Sequence, residues 1–424
     1  MMKAVSAKTL CLLIVYLGLS SYTLRAADTL RISIKQADSL FLKANFKLLA
    51  SAMNIDAQKA QVIQARLYPN PIFTADFNAY DPEHAKAFHI DNTSGQKAFQ
   101  LEQLILLGGK RKAQIDLAKT NVKISELEFQ QLLSQLKFQL HSGMYFLSQQ
   151  YVLINKYNKQ LNLLDTILVA YDVQAKKGNI ALKDVVRLKG FYLNLNNERA
   201  EILKNYFEEL SNVQTILQSQ QIIYPVVSDT DFASFIKPVN LDDLTTTALQ
   251  NRADFLITQQ DKLLAEQYVR YQKRLAVPDI NLMTSYDQRG GAFQNQYNVG
   301  LSIPLPVWNR NQGNIKTAAF QLRQQEYDTE SIKTRLLADV SNYYHLYNQS
   351  VIEFQKTEKL YNEDFEISFN GISENFRKGN VSILEFVDFF EAYNNALTEI
   401  SRVKVQLNTS AEHINLTTGK EIFN

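Results

Sequence analysis

Polar and apolar positions along this chain follow two different periods, arranged in alternating blocks. Ile332, Leu336, Val340, Tyr343, Tyr347, Val351, Phe354, Tyr361 and Phe365 keep spacings of three, four and seven. Ile383, Phe386, Phe390, Tyr393, Leu397, Ile400 and Leu407 do the same. A narrow stripe held over so many turns predicts long helices packed as in a coiled coil. Between the helical blocks the period falls to two. Phe73, Ala75, Phe77 and Ala79 alternate with Thr74, Asp76, Asn78 and Tyr80. Ile280, Leu282, Thr284 and Tyr286 alternate with Asn281, Met283, Ser285 and Asp287, and Val299, Leu301 and Ile303 with Asn298, Gly300 and Ser302. A fourth run, around Ala98 to Leu104, alternates less cleanly. Each run has about nine to ten residues, the length of a tilted strand that crosses a bilayer with one oily and one wet face.

Proline placement sorts the blocks. The eight prolines stand at 69, 71, 82, 225, 238, 278, 304 and 306, leaving residues 83–224 and 307–424 without any. A proline inside a helix costs roughly 3 kcal/mol, so these two blocks are where long helices can run. Gly178-Asn179 and Gly379-Asn380 interrupt them, and Gly-Asn suits the left-handed turn at a helix end. Each block therefore reads as a helical hairpin, with one continuous helix expected over about 310–376, ~100 Å long at ~1.5 Å per residue.

The landmarks also recur. Pro71 precedes a strand (Ile72 to Tyr80), and 207 residues later Pro278 precedes another (Asp279 to Asp287). Phe99-Gln100-Leu101 and Ile115 return 200 residues on as Val299-Gly300-Leu301 and Ile315, and Lys177-Gly178-Asn179-Ile180 returns 201 residues on as Lys378-Gly379-Asn380-Val381. The expectation is an α+β chain with an internal two-fold repeat. The first copy spans 27–225, with a strand pair at about 72–104 and a helical hairpin at about 108–218. The second spans 226–424, with strands at about 279–304 and a hairpin at about 310–416.

Residues 1–26 read as a secretory signal peptide: Lys3 and Lys8, the apolar run Leu10 to Leu19, then small residues at Ala26-Ala27. Removing them takes away Lys3, Lys8 and Arg25, leaving 42 basic against 43 acidic residues, a balance that favours no nucleic acid. Cys11, the only cysteine, falls within the signal, and Lys8-Thr9-Leu10 before it does not suit a lipidation site. No later stretch reaches the roughly 18 apolar residues of a spanning helix, so an exported chain that crosses a membrane does so with strands. Four strands cannot close a membrane barrel, whose smallest members have about eight, so the protomer must associate. A dimer's eight strands fill with side chains, whereas a trimer's twelve leave a lumen.

The chain resembles the TolC-type outer-membrane efflux channels over nearly all its mature length. Three stretches carry the likeness. One is the helix that runs into Arg66-Leu67-Tyr68-Pro69-Asn70-Pro71 and the strand beyond. The second is Gly300-Leu301-Ser302-Ile303-Pro304-Leu305-Pro306-Val307-Trp308-Asn309-Arg310-Asn311-Gln312-Gly313-Asn314-Ile315, similar to the strand-to-helix junction of the CzcC- and CusC-like heavy-metal cation efflux branch. Its first-half counterpart is Gln103 to Arg111. The third is the pair of Gly-Asn hairpins. The resemblance implies a homotrimer with a twelve-stranded barrel, four strands per protomer, in outer-membrane lipid. A long periplasmic helical barrel would continue it and dock on a periplasmic adaptor (membrane fusion protein) and an inner-membrane pump of the RND type. Such a passive exit duct serves a tripartite efflux system. Multidrug efflux and type I secretion use the same fold. A periplasmic coiled-coil adaptor is the alternative from another class, but it calls for one hairpin rather than two.

The resemblance assigns roles to particular residues. Pro304 and Pro306 lack amide donors and end a ladder, while Trp308, Arg310 and Gly313 follow at the strand-helix junction, with Gly313 expected to serve a tight helix entry. Gly178, Asn179, Gly379 and Asn380 fall at the tips that meet the adaptor. Glu385 and Asp388, one helical turn apart, align with the pore gate, where a trimer makes two acidic rings; Asp184 and Arg187 hold the first-half positions. The plainer reading is that these charges solvate a helix face.

No enzyme chemistry is visible. The five histidines (His84, His89, His141, His345, His413) form no H-E-x-x-H motif or Cys/His cluster, and His141 and His345 sit singly in helical runs. Gly108-Gly109-Lys110 lacks the spacing of a phosphate loop. His84 and His89 share a loop with Asp81, Glu83 and Asp91 and offer a loose capture site, but no metal ligand set and no cofactor is assigned.

Overall fold

The computed structural model describes residues 29–361 and 364–423. The expected signal, with Cys11, lies outside the described residues. In chain order, β1 (Thr29–Ile32), α1 (Ile34–Ala44), α2 (Phe46–Arg66), β2 (Ile72–Phe77), β3 (Tyr80–Asp81), β4 (Lys86–Ala87) and β5 (Gln96–Ile105) precede the long α3 (Lys110–Lys176) and α4 (Leu182–Leu217). Then come β6 (Ile222–Pro225), α5 (Asp229–Ala233), α6 (Leu241–Asn251), α7 (Ala253–Leu275), β7 (Ile280–Arg289) and β8 (Phe293–Ser302). The chain ends with α8 (Gln312–Leu360), α9 (Asp364–Arg377) and α10 (Ile383–Thr418). Two compact units result. One takes the chain up to Lys43, Gly143–Ser228 and Glu366–Ser401; the other takes Ala44–Ser142, Asp229–Phe365 and the chain from Arg402 onward.

The second unit carries a four-stranded sheet in the order β2-β5-β7-β8, antiparallel throughout. β5 and β7 pair from Gln96↔Arg289 to Ile105↔Ile280 and so join two strand pairs that are distant in sequence. The register sorts the two faces. Phe73↔Leu101, Leu101↔Thr284 and Thr284↔Val299 form one row, and Ala75↔Phe99, Phe99↔Tyr286 and Tyr286↔Tyr297 the next. On the opposite face Thr74↔Gln100, Gln100↔Ser285 and Ser285↔Asn298 follow one another, as do Asp76↔Ala98, Ala98↔Asp287 and Asp287↔Gln296. One face is thus oily and one wet, as strands at a lipid-water boundary require. The oily face is exposed among the described residues: Tyr297 is 78% and Val299 89% exposed.

Rings tie that face across all four strands. Phe73 stacks on Phe99 at 6.2 Å, Phe77 meets Phe99 edge-on at 5.6 Å, Phe99 stacks on Tyr286 at 6.1 Å, and Tyr286 meets Tyr297 at 5.2 Å. Such cross-strand aromatic pairs fix register as well as adding packing. β5 alternates poorly because Lys97 and Gln103 share the face of Phe99 and Leu101. Gln103 is accommodated there because its amide donates to the carbonyls of Pro69 and Leu104, both at 3.0 Å. Wet-face polar groups pair among themselves: Gln96 donates to Asp287 (3.1 Å) and Asn281 to Glu102 (3.1 Å).

In the first unit α3 and α4 form one hairpin, α9 and α10 another. Gly178 (φ +78°) and Gly379 (φ +77°) occupy the left-handed region that only glycine enters without strain. The amide of Gly178 donates to Ala175 (3.0 Å) and that of Asn179 to Gln174 (3.0 Å). Gly379 and Asn380 donate equivalently to Phe376 (3.0 Å) and Asn375 (2.9 Å). These are Schellman closures, which satisfy the last helical carbonyls. Below them Tyr157, Leu161, Leu164, Leu188, Phe191, Phe376, Phe386 and Phe390 build one buried core from all four helices. β1 and β6 add a short parallel pair, Thr29↔Ile222 to Ile32↔Pro225, too brief for periodicity to announce.

The single helix expected over 310–376 is two. α8 ends at Leu360, Tyr361 is extended (φ −93°, ψ 101°), and α9 starts at Asp364. Lys359 in the last turn of α8 and Asp364 and Glu366 in the first turn of α9 complement two separate helix dipoles. An unbroken apolar stripe concealed that charge pattern. The first-half α3 runs without interruption.

Candidate functional site

The two strand-helix junctions both lie in the sheet-bearing unit and use different chemistry. After β8, Pro304 and Pro306 carry the chain outward, and Trp308 is 88% exposed. The entry to α8 is then locked by side chains. The Arg310 amide donates to Gln312 Oε1 (2.7 Å), and Gln312 Nε2 donates back to the Trp308 carbonyl (3.1 Å). Asn311 takes the left-handed conformation (φ 60°), and its Nδ2 donates to the Gln272 carbonyl (2.7 Å) and Oε1 (2.8 Å). The special backbone position at this entry is therefore Asn311 rather than Gly313, whose missing Cβ would meet open space. Asparagine is the non-glycine residue that tolerates this region best.

After β5, glycines replace the prolines: Gly108 (φ +65°) and Gly109 (φ +72°) turn the chain. Buried Lys110 then pairs with Asp279 at 2.7 Å, and Asp279 also accepts the Leu107 amide at 2.9 Å. Arg274 donates to the Gly109 carbonyl at 2.6 Å. Lys110 and Asp279 come from opposite halves of the chain, a link that periodicity does not reveal.

At the hairpin tips of the other unit, Glu385 has a definite local partner. Its carboxylate accepts the Ser382 amide at 2.9 Å, and its own amide donates to Ser382 Oγ at 3.3 Å. This Ser-x-x-Glu capping box satisfies two amides at the start of α10. The Ser382 amide and hydroxyl hold the Glu385 carboxyl below the usual carboxylate range. In the first hairpin the N-cap position is Ala181, which supplies no side-chain cap, and Asp184 falls three residues later. Asp388 and Arg187 are exposed and, among the described residues, make no ion pair within the protomer. Gly178, Asn179, Gly379 and Asn380 close the tips as described. The spacing Ser382 to Glu385 was the sequence signal for the cap.

Two buried polar pairs have no sequence signature. Within the first unit Gln160 Nε2 donates to Asn394 Oδ1 at 2.7 Å. Within the second, His141 Nδ1 lies 2.8 Å from Glu412 Oε1, so this lone helical histidine is a satisfied core residue. Elsewhere in the second unit, Asp81, His84 and His89 come together in the loop between β2 and β5. Among the described residues no helix is long and apolar enough to cross a membrane.

The four-stranded sheet leaves its oily face exposed, as strands that meet lipid do. Residues 244–420 match the family of outer membrane efflux proteins. The chain is 23% identical over 369 residues to the cobalt-zinc-cadmium resistance protein CzcC of Cupriavidus metallidurans, covering 84% of this chain and 82% of that protein. Its fold is similar to that of crystallised CusC (TM-score 0.69, 14% identity, 92% of each chain). It is also similar to the outer membrane protein VceC of Vibrio cholerae (TM-score 0.71, 13% identity, 91% of this chain and 96% of that one).

Proposed function

We propose that this chain is the exit duct of a tripartite efflux system for metal cations. The sheet carries the duct reading: four strands with an oily face and free outer edges at β2 and β8. Three protomers joined edge to edge would make twelve strands, enough to leave a lumen. With 27–225 and 226–424 as two copies of one plan, six similar units would surround one axis. The tips at Gly178-Asn179 and Gly379-Asn380 face a periplasmic adaptor, and an inner-membrane pump supplies the energy. The cation cargo is supported by the likeness to a cobalt-zinc-cadmium resistance protein. A strain lacking the gene is expected to fail at zinc, cobalt or cadmium levels its parent tolerates, with growth restored by the gene in trans. Unchanged metal tolerance with new sensitivity to hydrophobic drugs would overturn the cargo.

Gating is assigned to the second hairpin, with Glu385 and Asp388 forming acidic rings and Asp184 and Arg187 at the matching first-half positions. Glu385 is held in place by its cap while its charge is retained, a fixed anionic site of the kind that selects cations. Glutamine also serves in a capping box, so Glu385→Gln removes the charge and keeps the helix start. Combined with Asp388→Asn, it is expected to lower cation preference and change conductance in planar bilayers. Currents identical to those of the unaltered protein would remove the acidic rings.

A further inference from the structure

The loop between β2 and β5 converges on one carboxylate. Asp81, the last residue of β3, is 2% exposed. Its Oδ2 faces Nδ1 of His84 at 2.8 Å and Nδ1 of His89 at 2.9 Å, and Ser94 Oγ donates to the same oxygen. Oδ1 accepts the amides of Glu83 (3.0 Å) and His84 (3.3 Å). One donor atom from each of Asp81, His84 and His89 lies within 4.8 Å of the others. The His84 and His89 side chains are 43% and 22% exposed, so one side of the group is open to solvent.

The backbone that delivers these groups is built rather than loose. Asp81↔Lys86 and Tyr80↔Ala87 pair β3 with β4. Ala85 directly follows His84 and Phe88 directly precedes His89, and both take φ of 51°. Non-glycine residues enter that region at a cost and persist there only when their surroundings fix them. On the other side the loop is tied to the turn between β7 and β8. Gly290 donates to the Gly95 carbonyl (2.9 Å) and Gly291 to Asn92 (3.1 Å). A Cβ on Gly290 would come within 2.0 Å of the Ser94 nitrogen, so the two loops need that glycine to approach so closely.

We propose that Asp81, His84 and His89 form a binding site for one divalent transition-metal ion of the zinc type. Two imidazole nitrogens and a carboxylate oxygen are a donor set that zinc and its neighbours favour, leaving a fourth position for water. An outer partner is already in place. His89 Nε2 lies 3.5 Å from Asp91 Oδ2, while Asp91 Oδ1 is fixed by the Thr93 amide (2.7 Å), the Thr93 hydroxyl (2.8 Å) and the Ser94 amide (2.8 Å). With Nδ1 on a metal, the Nε2–H of His89 points at Asp91, the carboxylate-histidine-metal order that orients metal-binding imidazoles. The Ser94 hydroxyl and the Glu83 amide donate to the two oxygens of Asp81 and fix the carboxylate between the rings. The site uses none of the gate residues and does not rest on the cargo proposed above.

Full-length protein in detergent, stripped with chelator and titrated with zinc chloride against a chromogenic zinc indicator, tests the site. One zinc per protomer is expected. Asp91→Asn should weaken it roughly 10–100-fold, as loss of an outer partner does, and the double change His84→Ala and His89→Ala by more than that. Glu83→Gln should bind as the unaltered protein does. Unaltered protein that takes up no stoichiometric zinc overturns the site, as does a double variant that binds equally tightly. Cobalt offers a second readout that needs no variant: visible absorption of a four-coordinate ion supports the site, and its absence sinks it. Zinc bound in vitro alongside unchanged metal tolerance in the deletion strain would keep the site and remove the cargo reading.

Discussion

Arginine in place of Val299 should cost the membrane-inserted protein about 2–4 kcal/mol, the range for a cationic side chain near the bilayer midplane on a barrel's lipid face. Val299 lies in the interior of β8 and opposite Thr284, in the row that runs through Leu101 to Phe73. Among the described residues it is the most exposed of the large apolar side chains, at 89%. Asn298 is its neighbour on the same strand and points to the wet face with Ser285 and Gln100. Asn298→Arg should therefore change stability by no more than about 0.5 kcal/mol. Urea unfolding in lipid vesicles, followed by loss of the heat-modifiable band, reads both. Equal costs at the two positions would mean that the sheet does not separate lipid from water.

The second large effect falls in the hairpin core. Phe386 is fully buried, with its ring 4.1 Å from Phe376 and 4.3 Å from Phe390. Those rings, with Phe191 edge-on to Phe390 at 6.1 Å, knit α4, α9 and α10 together. Phe386→Ala should cost about 3–5 kcal/mol, because aromatic truncation in a close-packed core loses transfer energy and leaves a cavity. The effect should be local, seen as faster proteolysis and amide exchange around residues 370–395. Leu384, two positions away and 62% exposed, is the control, since Leu384→Ala should stay within about 0.5 kcal/mol. A tip equally resistant to protease in Phe386→Ala would show that the aromatic cluster does not hold the hairpins.

The sequence was most informative where one physical requirement repeats over many residues. The stripe from Ile383 to Leu407 marks the buried side of α10 because every turn must present an apolar residue. Gly178 and Gly379 were legible because their φ values exclude most other residues. What escaped depends on partners far apart in the chain. The break after Leu360 lies beneath a continuous apolar stripe and shows only as charges at two helix ends. At the second junction Gly313 is the residue whose type suggests a special turn, yet Asn311 carries it, with its side-chain amide received by Gln272, 39 residues earlier. Glu385 stood out as a charge near a tip. Its first role is a cap on Ser382, which the Ser-x-x-Glu spacing encodes once the helix start is known. Between β2 and β5, Asp81, Glu83, His84, His89 and Asp91 fall close together in sequence. Which of them gather around one point, Asp81, His84 and His89, shows only in the folded loop.

The pairing of β5 with β7 also sets a timetable. These strands meet across about 175–193 residues of intervening chain, the distance from Ile105 to Ile280 and from Gln96 to Arg289. The β2–β5 pair has six matched positions, and a lone two-stranded ribbon is marginal in water. Contacts of such sequence separation form late, because loop-closure entropy must be met before they contribute. If the chain is the exported duct proposed above, the first strand pair waits, without a stable sheet, until the second has been exported too. An oily sheet with two sticky edges would be hazardous in the aqueous periplasm. Dividing it between the halves of the chain keeps that surface from existing until the molecule is nearly complete.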